Sequence, residues 1–246
     1  MPPRLRLFCF PHAGRGGSLF HGWGESLPAS IAVFPVTAPG HEHRVAEPPI
    51  DDVQALARIM ARELDGSFQE PFALFGHSLG ALLAFELTRH LRRSGGVAPI
   101  CLAVSGHRAP HIPRNEASTY DKPTAEFLAE LRRLEGTPAE VLRDADLLEL
   151  VLPVLRADFK AAESYRYDEE PPLACPIIAY GGAQDGDVPS PHLVAWRAHT
   201  RDRFCARLFE GGHFYINAQR RELTAQLAID LRRLCDLESS GARSCQ

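Results

Sequence analysis

The segment Gly76-His77-Ser78-Leu79-Gly80 sets a serine between two glycines, directly after the apolar run FALF and directly before the helical pattern LGALLAFELTRHLRR. This is GxSxG, a strand-to-helix elbow that exposes a serine hydroxyl above the carboxyl ends of a sheet. Glycines two residues before and after the serine leave room for a strained turn between closely packed elements. A serine hydroxyl attacks an acyl carbon only when a base takes its proton, and an imidazole serves best when a carboxylate fixes its tautomer and stabilises its charge.

In chains built around this elbow the acid and then the histidine follow the serine. Among eleven histidines, His213 is the best placed base. It stands in FEGGHFYIN, after the last strand-like run, where Gly211 and Gly212 permit a turn over the sheet edge. His192 and His199 fall in a helical stretch, PSPHLVAWRAHT. The acid is expected in YGGAQDGDVP, a loop after PIIAY that holds Asp185 and Asp187. Asp185 is nearer the strand and is favoured; either could instead close an Asx turn. The remaining requirement is two backbone N–H groups for the oxygen that becomes negative in a tetrahedral intermediate. Leu79, next to the serine, supplies one, and Ala13 in the early loop FPHAGRGG is the expected second. His12 and His77 read as neighbours that shape the site.

Elements that could hold these groups recur along the chain. LRLFCF, IAVFPV, FALF, ICLAVSG, PIIAYG and FCARLF are short apolar runs suited to strands buried on both faces. Helical patterns lie between several of them: DDVQALARIMAREL, with Val53, Leu56, Met60 and Leu64 on one face and Asp51 as cap; the stretch after Ser78; and RELTAQLAIDLRRLCDL near the end. This alternation predicts a mostly parallel central sheet flanked by helices, with right-handed crossovers. From about 108 to 170 the rhythm breaks into helical patterns without a strand. That insertion is expected as a lid or as a helical pair packed on the core. Leu147, Val151, Leu155 and Phe159 share a face in its second helix, with Pro153 kinking it or marking a boundary. Residues 238–246 are expected to be frayed.

With 246 residues and 45% hydrophobic content, a single domain spanning 1–246 is expected. A net charge of −4 gives no overall footprint for nucleic acid, and no segment approaches 20 apolar residues, which argues against a membrane partner. Arg6 interrupts the first apolar run, so MPPRLRLFCF does not read as a secretory signal. Six cysteines without metal-ligand spacing read as reduced thiols of a cytoplasmic protein, and no metal is expected.

The segments CFPHAGRGG, FPVTAPGHEHR, FALFGHSLGALLAFE, LAVSGHRAPH, LPVLRADFKAAESY, PLACPIIAYGG and FEGGHFYIN together resemble the type II thioesterases that accompany polyketide and nonribosomal peptide synthases. The resemblance runs nearly end to end. It implies an α/β-hydrolase fold with a helical lid after the sixth strand, and removal of stalled or wrong acyl groups from the phosphopantetheine arm of acyl or peptidyl carrier proteins. It also implies Ser78, Asp185 and His213 as triad, Ala13 and Leu79 as oxyanion donors, no bound cofactor, and a monomer. Arg15 stands where the family has glycine and a small residue. Because carrier proteins are usually acidic, Arg15, Arg44 and Arg108 are candidates for the entrance, and an apolar lid between Arg108 and Tyr167 implies tolerance of short acyl groups. The same triad would serve a carboxylesterase, a lipase or a chain-releasing thioesterase. A non-catalytic carrier-binding module is the alternative from another class.

Overall fold

The computed structural model describes residues 5–241 apart from Glu135. Six strands, β1 (Leu5–Phe10), β2 (Ile31–Pro35), β3 (Phe72–His77), β4 (Cys101–Ser105), β5 (Ile177–Gly182) and β6 (Phe204–Phe209), form one sheet in the order β2-β1-β3-β4-β5-β6. All five pairings are parallel. The helices are α1 (Trp23–Ser26), α2 (Val53–Leu64), α3 (Leu79–Arg93), α4 (Thr124–Leu134), α5 (Ala145–Ser164), α6 (Ser190–Val194), α7 (Tyr215–Ala218) and α8 (Arg220–Gly241).

The alternating geometry of the strands divides the core into two layers. Phe8, Leu74, Leu102 and Ile177 point to the face covered by α2 and α3, where Leu56, Met60, Phe85 and Leu87 complete a cluster. Leu7, Phe75, Ala103 and Ile178 point to the other face, against Trp23 of α1 and Leu223, Leu227 and Leu231 of α8. Leucines four residues apart give α8 one apolar stripe, the pattern a helix lying on a sheet requires. Every residue of β3 and β4 is buried, as central parallel strands demand. The two edge strands depart from the expected two-sided burial: β2 and β6 each leave alternate or terminal residues open, because each has a partner on one side only.

The chain runs from β1 outward to β2 and returns to place β3 on the other side of β1. The order reverses there, and a crevice opens at the carboxyl ends of β1 and β3. The loops that follow these two strands carry Ala13 and Ser78.

Other details correct the sequence reading. Asp52, not Asp51, caps α2, its carboxylate accepting the Ala55 amide at 2.6 Å, while Asp51 pairs with Lys160. Counted along this chain, the helical insertion follows the fourth strand rather than the sixth. Pro153 marks no boundary, for α5 is continuous from Ala145 to Ser164 and is capped by Asp144. α8 continues to Gly241, past the point where fraying was expected; residues 242–246 of that expected tail lie outside the described residues. Cys9, Cys101 and Cys175 are buried, whereas the side chains of Cys235 and Cys245 are outside those described. Among the described residues no helix is long and apolar enough to cross a membrane.

Candidate active site

β3 ends at His77 and α3 begins at Leu79, so Ser78 alone makes the turn. Its φ of 55° is positive, a conformation that costs a residue with a side chain on the order of 1–3 kcal/mol unless its surroundings hold it. They do so by close approach of backbone. A Cβ on Gly76 would stand 2.0 Å from the Gly80 carbonyl oxygen, and one on Gly80 would stand 2.1 Å from that of Phe10. Both glycines of GHSLG are therefore required by contact, while the unusual conformation belongs to Ser78. The Ser78 amide also donates to the Ser105 carbonyl at 2.8 Å, tying the elbow to β4.

The structure brings the three distant polar residues together. His213 Nδ1 donates to Asp185 Oδ2 at 2.8 Å, which leaves Nε2 as the acceptor facing the Ser78 hydroxyl at 3.0 Å. The two aspartates of the loop after β5 are distinguished by the same geometry. Asp185 is buried, and its second oxygen accepts the amides of Asp187 and Val188 at 3.0 and 3.1 Å. Asp187 is exposed and makes no bond to the ring. Burial works against ionisation of Asp185, but the His213 bond and charge, with the two amides, outweigh it and hold this carboxyl below its ordinary value.

Ala13 and Leu79 line the same cavity as Ser78 and His213, and among the described residues neither backbone N–H donates to a protein acceptor. Leu79 is also the first residue of a 15-residue helix, whose positive end favours a nearby negative oxygen.

Three more imidazoles surround His213. Burial pushes His12 and His107 down to about 4, and His77 well below the ordinary histidine value, so all three are neutral at neutral pH. His77 is fully buried, with Nδ1 2.8 Å from Ser105 Oγ, which in turn lies 2.6 Å from the Tyr215 hydroxyl. Phe214, which the sequence did not single out, packs edge-on against His213 and His12 at 5.0 and 4.9 Å between ring centres. It also touches the lid at Gly136.

The cavity has a volume of about 770 Å³, with Ser78 and His213 at its floor and Leu131, Leu155 and Phe159 of the insertion in its walls. Helices α4 and α5 roof it and enclose a small core of their own, in which Phe127, Leu131, Leu142 and Leu155 are buried. Of the three expected basic residues, Arg108 lines the cavity and pairs with Glu116 at 3.0 Å. Arg15 is half-buried, is not among the residues lining the cavity, and has no ion pair among the described residues. Arg44 is consumed by Glu47 at 2.7 Å and Glu63 at 2.9 Å, so it offers no free charge to a partner.

Sequence reasoning missed Asp158 and His41. Asp158, in α5, accepts the Gly14 amide at 2.6 Å and meets His41 Nε2 at 2.9 Å. The available signal was an acid three residues after Leu155 on the apolar stripe of its helix, where a carboxylate must find partners.

A parallel sheet whose β3-to-α3 turn presents a serine, hydrogen-bonded through histidine to an aspartate, defines the α/β-hydrolase class. Residues 5–230 match the family described as thioesterase domain, and the chain belongs to that family. The gramicidin S biosynthesis protein GrsT of Aneurinibacillus migulanus is 41% identical over 229 residues, covering 93% of this chain and 90% of that protein. Thioesterase PikA5 of Streptomyces venezuelae is 43% identical over 228 residues, covering 92% and 81%. Among solved structures, RedJ, the thioesterase from the prodiginine pathway of Streptomyces coelicolor, superposes with a TM-score of 0.87 at 39% identity, covering 92% of this chain and 90% of that one. The chain is accordingly a hydrolase acting on thioester bonds.

Proposed function

We propose that this thioesterase clears stalled or wrong acyl groups from the phosphopantetheine arm of acyl or peptidyl carrier proteins, in polyketide or nonribosomal peptide biosynthesis, through an acyl-serine intermediate. The observation that carries the reading is the unbroken hydrogen-bonded chain from Ser78 through His213 to Asp185 at the floor of a lid-roofed cavity of about 770 Å³. The names of the relatives supply the biosynthetic setting.

His213 Nε2 takes the hydroxyl proton as Ser78 Oγ bonds to the thioester carbon. The carbonyl electrons move to oxygen, where the amides of Ala13 and Leu79 receive the charge; one such donor contributes about 10²–10³ in kcat. Collapse breaks the C–S bond, and His213 returns the proton to the departing pantetheine thiolate. Water then gives a proton to His213 and attacks the acyl-serine, and release of the carboxylic acid restores Ser78. Asp185 keeps the Nδ1 proton in place and faces the imidazolium that forms in each half-reaction. The protein's own residues complete this cycle without a bound cofactor or metal. We further infer that it acts as a cytoplasmic monomer.

The experiment is release of acetyl, propionyl, aminoacyl and longer chains from carrier-bound pantetheine, compared with matched oxygen esters. Hydrolysis of several short acyl groups at similar rates, with thioesters preferred, is the expected result. A preference for the oxygen esters would make the protein a carboxylesterase, and a preference for one mature chain with cyclisation would make it a chain-releasing enzyme.

A further inference from the structure

The Ala13–Gly14 peptide is gripped from two sides. Its carbonyl accepts the Nδ1 proton of His12 at 2.9 Å, and its N–H donates to Asp158 Oδ2 at 2.6 Å. The first partner belongs to the same loop, but the second comes from α5, 144 residues further along the chain. A charge-assisted bond this short fixes direction as well as distance.

Asp158 is itself locked. It is 4% exposed, and the oxygen that accepts Gly14 also faces His41 Nε2 at 2.9 Å. The other nitrogen of His41 lies 3.1 Å from the Pro39 carbonyl. A carbonyl and a carboxylate can only accept, so both ring nitrogens are placed to donate, as those of an imidazolium do. Burial opposes that charge, but the Asp158 bond and charge and the backbone carbonyls prevail and raise its pKa. A buried carboxylate without such a cation would be strongly unfavourable.

Packing repeats the coupling. Gly14 has a φ of 74°, and a Cβ there would stand 2.4 Å from Leu155 Cδ2, so α5 lies directly on the loop. One turn beyond Asp158, Ala161 is buried in a cluster with Leu79 and Leu82, against which Ala13 also packs. The same helix therefore contributes to the cluster in which Leu79 is buried and against which Ala13 packs. Lys160 to Asp51 at 2.6 Å and Tyr165 to Glu86 at 2.7 Å fasten this half of α5 to the sheet side of the molecule.

We propose that Asp158, held by His41, is a positioning residue that sets the oxyanion hole from the lid, by fixing the 13–14 peptide and with it the direction of the adjacent Ala13 N–H. This rests on the acyl-serine reading and on Ala13 and Leu79 as its donors. The C-terminal half of α5 is thus part of the hydrolytic machinery as well as of the cavity wall, which Leu155, Phe159 and Ala162 line.

The test measures kcat and KM on acetyl-pantetheine for Asp158→Ala, Asp158→Asn, His41→Ala and His41→Gln, beside Ser78→Ala. It also measures affinity for two ligands, a non-hydrolysable thioether analogue and a trifluoromethyl ketone that adds to serine as an oxyanion. Asp158→Ala is expected to lose about 100-fold in kcat with KM within twofold, because misdirecting one donor costs what removing it costs. Its ketone affinity should fall in parallel while the thioether binds as before. Asp158→Asn keeps an acceptor but not the charge and should lose about tenfold; His41→Gln, which keeps an N–H toward Asp158, should be more active than His41→Ala. If Asp158→Ala does not fold, Asp158→Asn and the His41 pair carry the test. A folded Asp158 variant with wild-type kcat, or equal weakening of both ligands, overturns the proposal. Full activity in folded Ser78→Ala would instead overturn the acyl-serine reading beneath it.

Discussion

At Gly76 and Gly80 a single added methyl group would overlap backbone atoms, whereas Leu147 and Leu150, in the helix that roofs the cavity, stand 44% and 55% exposed. The elbow is held by contacts among main-chain atoms of β1, β3 and α3, so its geometry has almost no freedom. The lid encloses a small core around Phe127 and Leu131 and shows apolar side chains to water. Rigid backbone suits the group that must meet an acyl carbon at bonding distance, and a lightly packed roof suits a chamber that admits several acyl chains. α5 belongs to both regions, with one end in the lid core and the other fastened to the loop after β1 and to α3.

The comparison breaks most sharply at the elbow. Gly80→Ala is expected to remove roughly 4 kcal/mol or more of stability, or to leave no soluble protein, because the obstructing atoms are main chain. Gly186→Ala, where a Cβ meets nothing within 4 Å, should leave stability near wild type. Urea unfolding of the two variants checks this pair, and a stable Gly80→Ala would show that the elbow yields more than its contacts allow.

In the lid, Phe127→Ala removes a fully buried ring and should cost about 3–5 kcal/mol. The cost is expected locally: hydrogen exchange should speed up in α4 and the first turns of α5 while β3 amides keep their protection. Uniform loss of protection would mean that lid and sheet unfold as one unit.

Acid should act on the sheet side. His12 and His107 border the elbow and are held down to about 4, against about 6.5 for an ordinary histidine. Between these values the unfolded chain binds protons that the folded protein does not, so stability falls as pH drops from about 6.5 to about 4 and changes no further from this source below that. Residues 124–164 contain no histidine, so α4 and α5 contribute nothing of this kind. Unfolding free energies across that window should slope less for His12→Asn than for wild type. An unchanged slope would remove His12 from the account. The smallest effect is expected for Leu150→Gln, within about 0.5 kcal/mol and with unchanged turnover of short acyl groups.

The site was legible in the sequence to the extent that its chemistry is packed into short segments. GHSLG carries its own backbone demand, and the glycines before His213 and the strand before Asp185 put those residues at the right edge of a parallel sheet. Asp185 was favoured over Asp187 for standing nearer the strand, and the coordinates place it, not Asp187, against His213. The cap of α2 slipped by one position because adjacent aspartates offer equal capping chemistry, and Asp51 was taken by Lys160. The exposure of β2 and β6 depends on strand order, which composition does not encode. The Asp158–His41 pair spans 117 residues and joins two segments that share no pattern, so only the packing of α5 on the loop after β1 brings it into view.

The central claim is that the Ser78 hydroxyl becomes the acyl carrier during turnover. Rapid-quench mass spectrometry of the enzyme mixed with propionyl-pantetheine bound to a carrier tests it most directly. The account predicts a transient propionyl adduct on the peptide containing Ser78, absent from a folded Ser78→Ala variant whose turnover has fallen by at least about 10³-fold. Wild-type turnover by that variant, or an adduct on another residue, would contradict it.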